Sequence, residues 1–267
     1  MHNKIKILIT NDDGIEADGL KYLWEALVDF AELYIIAPMT EKSGVGLAIT
    51  IRDPIHIQPV QWEKGTKAWK INGTPADCVR MGMSVILNSP PDLIVSGINR
   101  GANSGRNVLY SGTIGGVIEG ALRKVPGIAF SCVDFVKPDY KKVQHLIYPL
   151  VRHMIENPFP SGTVLNVNFP DVQDIRGLKL ARQGKGYWIE DPNHRLHPEG
   201  HSYFWLGGKW DEHDEHEESD VFLLKQGFAT AVPIHISELT DFKLFHERKS
   251  HFDHSFEQHL TPALDHL

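Results

Sequence analysis

The sequence of 267 residues predicts an α/β fold, a three-layer, Rossmann-like, mostly parallel sheet with a C-terminal elaboration of β-hairpins or an arm. Three observations point there. Strand-like runs rich in Ile, Val and Leu alternate with helical periodicities from Lys6 to Phe169. These runs are apolar almost throughout, as strands covered on both faces require, instead of alternating apolar and polar. Polar clusters follow the runs where the strands end, which is where open parallel sheets gather ligand sites.

Each element has its own justification. Lys6-Ile7-Leu8-Ile9-Thr10 is a β-rich run that stops at Asn11-Asp12-Asp13-Gly14. Asp18 then serves as an N-cap for a helix whose apolar stripe is Leu20, Leu23, Trp24, Leu27 and Val28. Glu32 to Ala37 reads as a second strand closed by Pro38. From Ala48 to Lys70, Ile49, Ile51, Ile55 and Ile57 alternate with polar residues, so an antiparallel excursion is expected there. Thr74-Pro75-Ala76-Asp77 opens a helix: Thr74 caps, Pro75 loses no needed N–H, and Asp77 suits the positive end. A strand over Pro91 to Gly97 leads through a Gly-rich loop into a helix reaching Glu119 and Leu122. Strand Gly127 to Val133, helix Asp139 to Glu156 and strand Thr163 to Phe169 continue the alternation. Past Asp171, glycines, tryptophans and an acidic run replace it with hairpins or an arm, and Ala229 to Ile236 reads as one more strand. With no repeat or linker in the sequence, one domain over 1–267 is expected, about 171–267 being the elaboration.

Composition narrows the function. Hydrophobic residues make up 42% and charged residues 23%, which is ordinary for a folded globular chain and excludes wholesale disorder. No apolar run approaches the roughly 20 residues of a membrane span, and Met1-His2-Asn3-Lys4-Ile5 does not open a secretory signal, so a cytoplasmic location without membrane contact is expected. Cys78 and Cys132 cannot build a disulfide framework, and Cys78 reads as a buried apolar filler. The net charge of −7 arises in one place: Asp211 to Asp220, DEHDEHEESD, holds seven of the 34 acids and no base. Without it, 34 less 7 leaves 27 acids facing 27 bases, a balanced surface that does not suit duplex nucleic acid. The run itself is expected to be a solvated loop away from the chemistry. His213 and His216 within it read as exposed loop residues, because no HExxH-like ligand spacing occurs. Trp188, Trp205 and Trp210 are expected to pack a hairpin or a subunit interface and not to stack on bases.

Four polar clusters carry candidate chemistry. Asp12 and Asp13 are adjacent carboxylates, which are costly to desolvate together unless a hard cation such as Mg²⁺ or Mn²⁺ neutralises them; an Asx-turn is the plainer alternative. Ser96-Gly97-Ile98-Asn99 ends a strand in neutral oxygens, and the loop after it runs through Asn103. Tyr110-Ser111-Gly112-Thr113 lies at the mouth of a helix, where free N–H groups and hydroxyls attract phosphate, or where Ser111 or Thr113 simply caps. The loop from Pro38 to Gly46 adds Ser43. There is neither a P-loop ending nor a GxGxxG fingerprint.

Taken together, ILITNDDGI, APMTEKSGVG, NGTPADCV, PDLIVSGINRGANSG, YSGTIGGVIEGA and LNVNFP, and more loosely SDVFLLKQGFATAVPIHIS, resemble the SurE family of stationary-phase survival proteins, in order from about Ile7 to about Ile236. The resemblance implies a metal-dependent nucleotidase with one divalent ion per subunit, Mg or Mn, held by Asp12, Asp13, Ser43 and Asn99. Asp12 and Asp13 become the candidate catalytic pair, and Asn103, Ser111, Gly112 and Thr113 the candidate substrate-binding residues. The implied substrates are nucleoside 5′- and 3′-monophosphates and short polyphosphate. A homodimer or homotetramer is implied, with the C-terminal segment as an oligomerisation arm. Residues 191–219 depart from the family pattern. The competing reading is a non-catalytic, Mg-dependent phosphate- or nucleotide-binding regulator. A receiver-like version needs an acceptor aspartate where this strand ends Ser96-Gly97-Ile98-Asn99, and an aspartyl-phosphate enzyme needs an Asp-x-Asp spacing that is missing.

Overall fold

A computed structural model of the chain describes residues 4–264, with side chains described as far as 256. In order, the elements are β1 (Lys6–Thr10), α1 (Asp18–Leu27), β2 (Glu32–Pro38), β3 (Ile57–Val60), β4 (Lys67–Ile71), α2 (Pro75–Met81), β5 (Leu93–Arg100), α3 (Gly112–Ala121), β6 (Gly127–Cys132), α4 (Tyr140–Glu156), β7 (Thr163–Phe169), β8 (Leu178–Leu180), β9 (Tyr187–Ile189), β10 (Asn193–Leu196), β11 (Ser202–Trp205), β12 (Lys209–Asp211), α5 (Asp220–Lys225), β13 (Ala229–His235) and α6 (Phe242–Leu264).

Nine strands form one sheet in the order β3-β4-β2-β1-β5-β6-β7-β13-β8. From β4 to β7 every pairing is parallel, while β3 and β13 join antiparallel to β4 and β7. Alternate residues of β1 divide between two helical layers. Ile7 and Ile9 enter a core with Leu20, Leu23, Trp24 and Leu27 of α1 and Val143, Ile147 and Val151 of α4. On the opposite face Leu8 meets Gly82, just past α2, and Thr10 meets Gly116 of α3, each closely enough that a Cβ on the glycine would lie within 3 Å. This doubly covered sheet explains why the central strands are apolar at nearly every position.

Two local expectations give way. Ala17, not Asp18, holds the N-cap position of α1 and no side chain caps it; Asp18 lies in the first turn, where its charge still suits the helix dipole. Ile49, Ile51 and Ile55 form no strand, and the excursion narrows to the β3–β4 hairpin. Thr50 is tied instead to Asp77, which accepts its backbone N–H at 3.0 Å and its hydroxyl at 2.6 Å. That side-chain tie replaces a ladder, and Ile51 is left 81% exposed. The capping box at Thr74 and Asp77 forms as expected.

After β7 the chain makes nested hairpins: β9 pairs with β12, and β10 pairs with β11 between them. The chain divides between His235 and Ile236 into two units. The second carries α6, whose Phe242, Phe245, Phe252 and Phe256 are exposed. Among the described residues no helix is long and apolar enough to cross a membrane. Cys78 is fully buried and Cys132 nearly so; burial raises the Cys78 thiol strongly and pushes Cys132 up to about 12, as suits packing residues.

Candidate active site at the C-terminal edge of the sheet

The parallel strands β1, β5 and β6 deliver polar residues to one edge, facing a cavity of about 1330 Å³. Asp12, Ser43, Asn99, Asn103 and Ser111 all line it. The 38–46 loop is fastened beside β1, since the Lys42 N–H donates to the Asp12 carbonyl at 2.7 Å and the Gly46 N–H to the Tyr110 carbonyl at 2.9 Å. Ser43 is exposed and donates its hydroxyl to Glu41 Oε1 at 2.7 Å, which leaves its oxygen lone pairs for another partner.

Asp12 is 4% exposed and rests on a buried polar network. The Thr113 hydroxyl donates to Asp12 Oδ1 at 2.5 Å. Asn103 Nδ2 donates to Thr113 Oγ1 at 3.3 Å and to Ser131 Oγ at 2.9 Å. Behind Asn103, its N–H donates to Asn168 Oδ1 and its carbonyl accepts from Asn166 Nδ2, both at 2.8 Å. Asn168 Nδ2 closes the network on Asn166 Oδ1 at 3.2 Å. Gly112 is set by space, not by polarity: a Cβ there would lie 2.9 Å from Asp12 Cβ and 3.0 Å from Val45. Ser111 caps α3 by accepting the Ile114 N–H at 3.1 Å, so its hydroxyl proton stays available to an anion in the cavity.

The two aspartates face different surroundings. Asp13 Oδ2 accepts the Arg100 N–H at 3.1 Å, and Asp13 lines a separate depression of about 520 Å³. Burial raises the Asp13 carboxyl, against the lowering effect of Arg100. Burial is also the main cause that pushes Asp12 up to about 7; Asp13 adds to the shift and the Thr113 hydrogen bond opposes it.

This donor set fits a hard divalent cation. Two carboxylates adjacent in the chain, one of them almost fully buried, follow Asn11, whose Oδ1 is a buried oxygen with no partner among the described residues. Asn99 commits Nδ2 to the Gly101 carbonyl at 2.8 Å, which leaves Oδ1 as the atom to coordinate. All these donors are oxygen, the preference of Mg²⁺ and Mn²⁺. His197, Glu199 and His201 could also gather around an ion, but they are exposed residues of the β10–β11 turn and do not line this cavity.

The chemistry-bearing residues are joined by others whose roles the sequence did not mark. Asn166 and Asn168 lie two apart in a strand whose other residues after Thr163 are apolar and buried, and that spacing of amides on one face was the available signal. The acidic run is not uniformly solvated, contrary to expectation. Asp220 is fully buried and accepts the N–H groups of Gly105 at 3.0 Å, Gly184 at 2.8 Å and Val221 at 2.8 Å. Glu215 accepts from Gly186 at 2.7 Å, and His213 lies 3.1 Å from Asp211 and stacks on Tyr187 instead of extending into solvent. The end of the run thus anchors the loop after Ser104, and Val221, Leu224 and Lys225 reach the cavity itself. Trp188 and Trp210 pack edge to face across β9 and β12, as expected of a hairpin, yet together with Trp205 they also line the cavity.

A sequence model of the family described as Survival protein SurE matches residues 7–190. The chain belongs to the SurE family. It is 48% identical over 257 residues to a 5′-nucleotidase SurE of Protochlamydia amoebophila, covering 95% of this chain and 98% of that protein. A 5′-nucleotidase SurE of Caldanaerobacter subterraneus is 38% identical over 242 residues, covering 90% of this chain and 94% of that protein. The crystal structure of the SurE protein from Aquifex aeolicus superposes with a TM-score of 0.78 at 32% identity, covering 92% of this chain and 98% of that one. Within this SurE chain, Trp205 and Trp210 lie beyond the stretch that the family model matches.

Proposed function

We propose that this SurE chain is a divalent-metal-dependent 5′-nucleotidase, releasing phosphate from nucleoside 5′-monophosphates. The observation that carries the reading is Asp12: a buried carboxylate beside Asp13, supported by Thr113 and facing a cavity shared with Ser43 and Asn99. The relatives named as 5′-nucleotidases support the activity. Asp12, Asp13, Ser43 and Asn99 would hold one Mg²⁺ or Mn²⁺ per subunit, and the cation would supply Lewis acidity to a phosphoryl oxygen and to water.

The chain's own groups do the rest. Ser111 and the N-terminus of α3 orient the phosphate and stabilise charge on its oxygens. Thr113 and Asn103 act as positioning residues, fixing Asp12 so that little reorganisation accompanies the reaction. Gly112 contributes by leaving room for the Asp12 side chain. Asp12 lines the cavity while Asp13 turns to Arg100, so Asp12 is the carboxylate placed to accept a proton from attacking water. The exposed phenylalanines of α6 support an oligomerisation arm in a homodimer or homotetramer. Two free buried thiols accord with a cytoplasmic setting.

The test is phosphate release from a panel of 5′- and 3′-nucleotides, sugar phosphates and short polyphosphate, with Mg²⁺, with Mn²⁺ and with chelator. Metal-dependent release that chelation abolishes is expected. Release unaffected by chelation would overturn the metal, and binding without release would overturn the enzyme.

A further inference from the structure

The cavity is larger than a phosphate group needs, and at about 1330 Å³ it exceeds the several hundred Å³ usual for a small-ligand site. Its polar floor is the strand edge. Another part of its lining is aromatic, formed by Trp188, Trp205 and Trp210 of the nested hairpins. Trp188 and Trp210 are paired directly across β9 and β12, and their rings meet at 80° with centroids 5.9 Å apart. An edge-to-face contact uses one ring's edge and leaves indole face uncovered. Trp188 remains 56% exposed and Trp205 66% exposed, and Trp205 has no aromatic partner among the described residues.

The hairpins are fastened to the floor loop. The Trp188 N–H donates to Asn107 Oδ1 at 3.1 Å, and the Arg106 N–H to the Gly186 carbonyl at 2.9 Å. A side chain on Gly105 would meet the Gly186 carbonyl oxygen at 2.1 Å, so loop and hairpin touch backbone to backbone. This attachment ties the aromatic surface to the loop that carries Asn103 and leads to Ser111, in the same cavity where phosphate is expected.

Resting on the nucleotidase reading, we propose that Trp188 and Trp205 form the nucleobase subsite, stacking on the base while the phosphate lies on the polar floor, with Trp210 buttressing Trp188. Stacking accepts every base, because each has a π-face, and it favours the larger ring system. The substrates are therefore nucleoside monophosphates broadly, purines ahead of pyrimidines, with base-free sugar phosphates poorer.

The experiment compares a purine nucleoside 5′-monophosphate with ribose 5-phosphate, using wild type, Trp188→Ala, Trp205→Ala, the double variant and Trp188→Phe. Loss of a stacking partner is expected to cost roughly 10-fold in kcat/KM per indole on the nucleotide, mainly through KM. Ribose 5-phosphate should change less than about 2-fold, and Trp188→Phe should retain most of the nucleotide activity. Equal losses on both substrates, or no loss on the nucleotide, would overturn the subsite. Trp205→Ala keeps the test open if Trp188→Ala disturbs the hairpin, since Trp205 supports no other ring among the described residues. Tryptophan quenching separates this proposal from the one beneath it. If wild type releases no phosphate from any ester, the nucleotidase reading fails. The subsite then stands if the nucleotide but not ribose 5-phosphate quenches emission, with that response lost in the double variant, and it falls otherwise.

Discussion

The floor of the cavity and its aromatic wall are built on opposite principles. The floor rests on buried groups: Thr113, Ser131, Asn166 and Asn168 beneath it are fully inaccessible, and each is tied into a network ending at Asp12. The wall is more exposed, made of three- and four-residue strands on which Trp188 and Trp205 retain more than half of their surface. Burial in the floor costs desolvation, which only a complete set of hydrogen bonds offsets, so single changes there should act on chemistry and stability together. A wall made of exposed rings can vary without threatening the fold, which suits substrate selection.

That contrast can be broken at several points. Among changes around Asp12, leaving Asp12 itself in place, the largest effect is expected from Thr113→Val, which keeps the shape and removes the hydroxyl that donates to Asp12. By the usual weight of a preorganised donor, kcat should fall about 100-fold with little change in KM, and Thr113→Ser should recover most of it. Next is Asp220→Ala, which strands three backbone N–H groups in the interior. A loss of about 3 kcal/mol in urea unfolding is expected; a neutral result would show that this link between the acidic run and the floor is dispensable.

Smaller still is a pH effect in the metal-free protein. The Asp12 carboxyl is raised to about 7 from 3.8, so between those values the folded state holds a proton that the unfolded chain has released. Stability from this group is therefore present at low pH and lost as pH rises from about 4 to 7. With chelator present, the Tm should be lower at pH 8 than at pH 5.5 by more in wild type than in Asp12→Asn. A divalent cation should restore the Tm more at pH 8, because it binds the ionised form.

Much of this arrangement was legible in the sequence. The central strands were, because apolar runs at strand length have little alternative between helical periodicities. Asp12, Ser43, Asn99, Asn103 and Ser111 do converge on one cavity. The divergence of Asp13 was hidden because adjacent residues at a strand end point to different sides, and only the register with β5 decides which neighbour Asp13 meets. Asp220 was masked by its six acidic companions, since composition cannot tell a carboxylate that binds backbone N–H groups from one that faces water. Ile49 to Ile55 misled because alternation marks a strand only where a partner ladder exists, and Asp77 takes Thr50 instead.

The central claim is that Asp12 is the carboxylate on which metal-dependent phosphate release depends. The most direct test is Asp12→Asn, nearly isosteric and still able to accept from Thr113, assayed with a nucleoside 5′-monophosphate and Mn²⁺ or Mg²⁺. The account predicts a protein folded like wild type by circular dichroism, with phosphate release reduced by about 1000-fold or more. Near-normal turnover in that variant would contradict it.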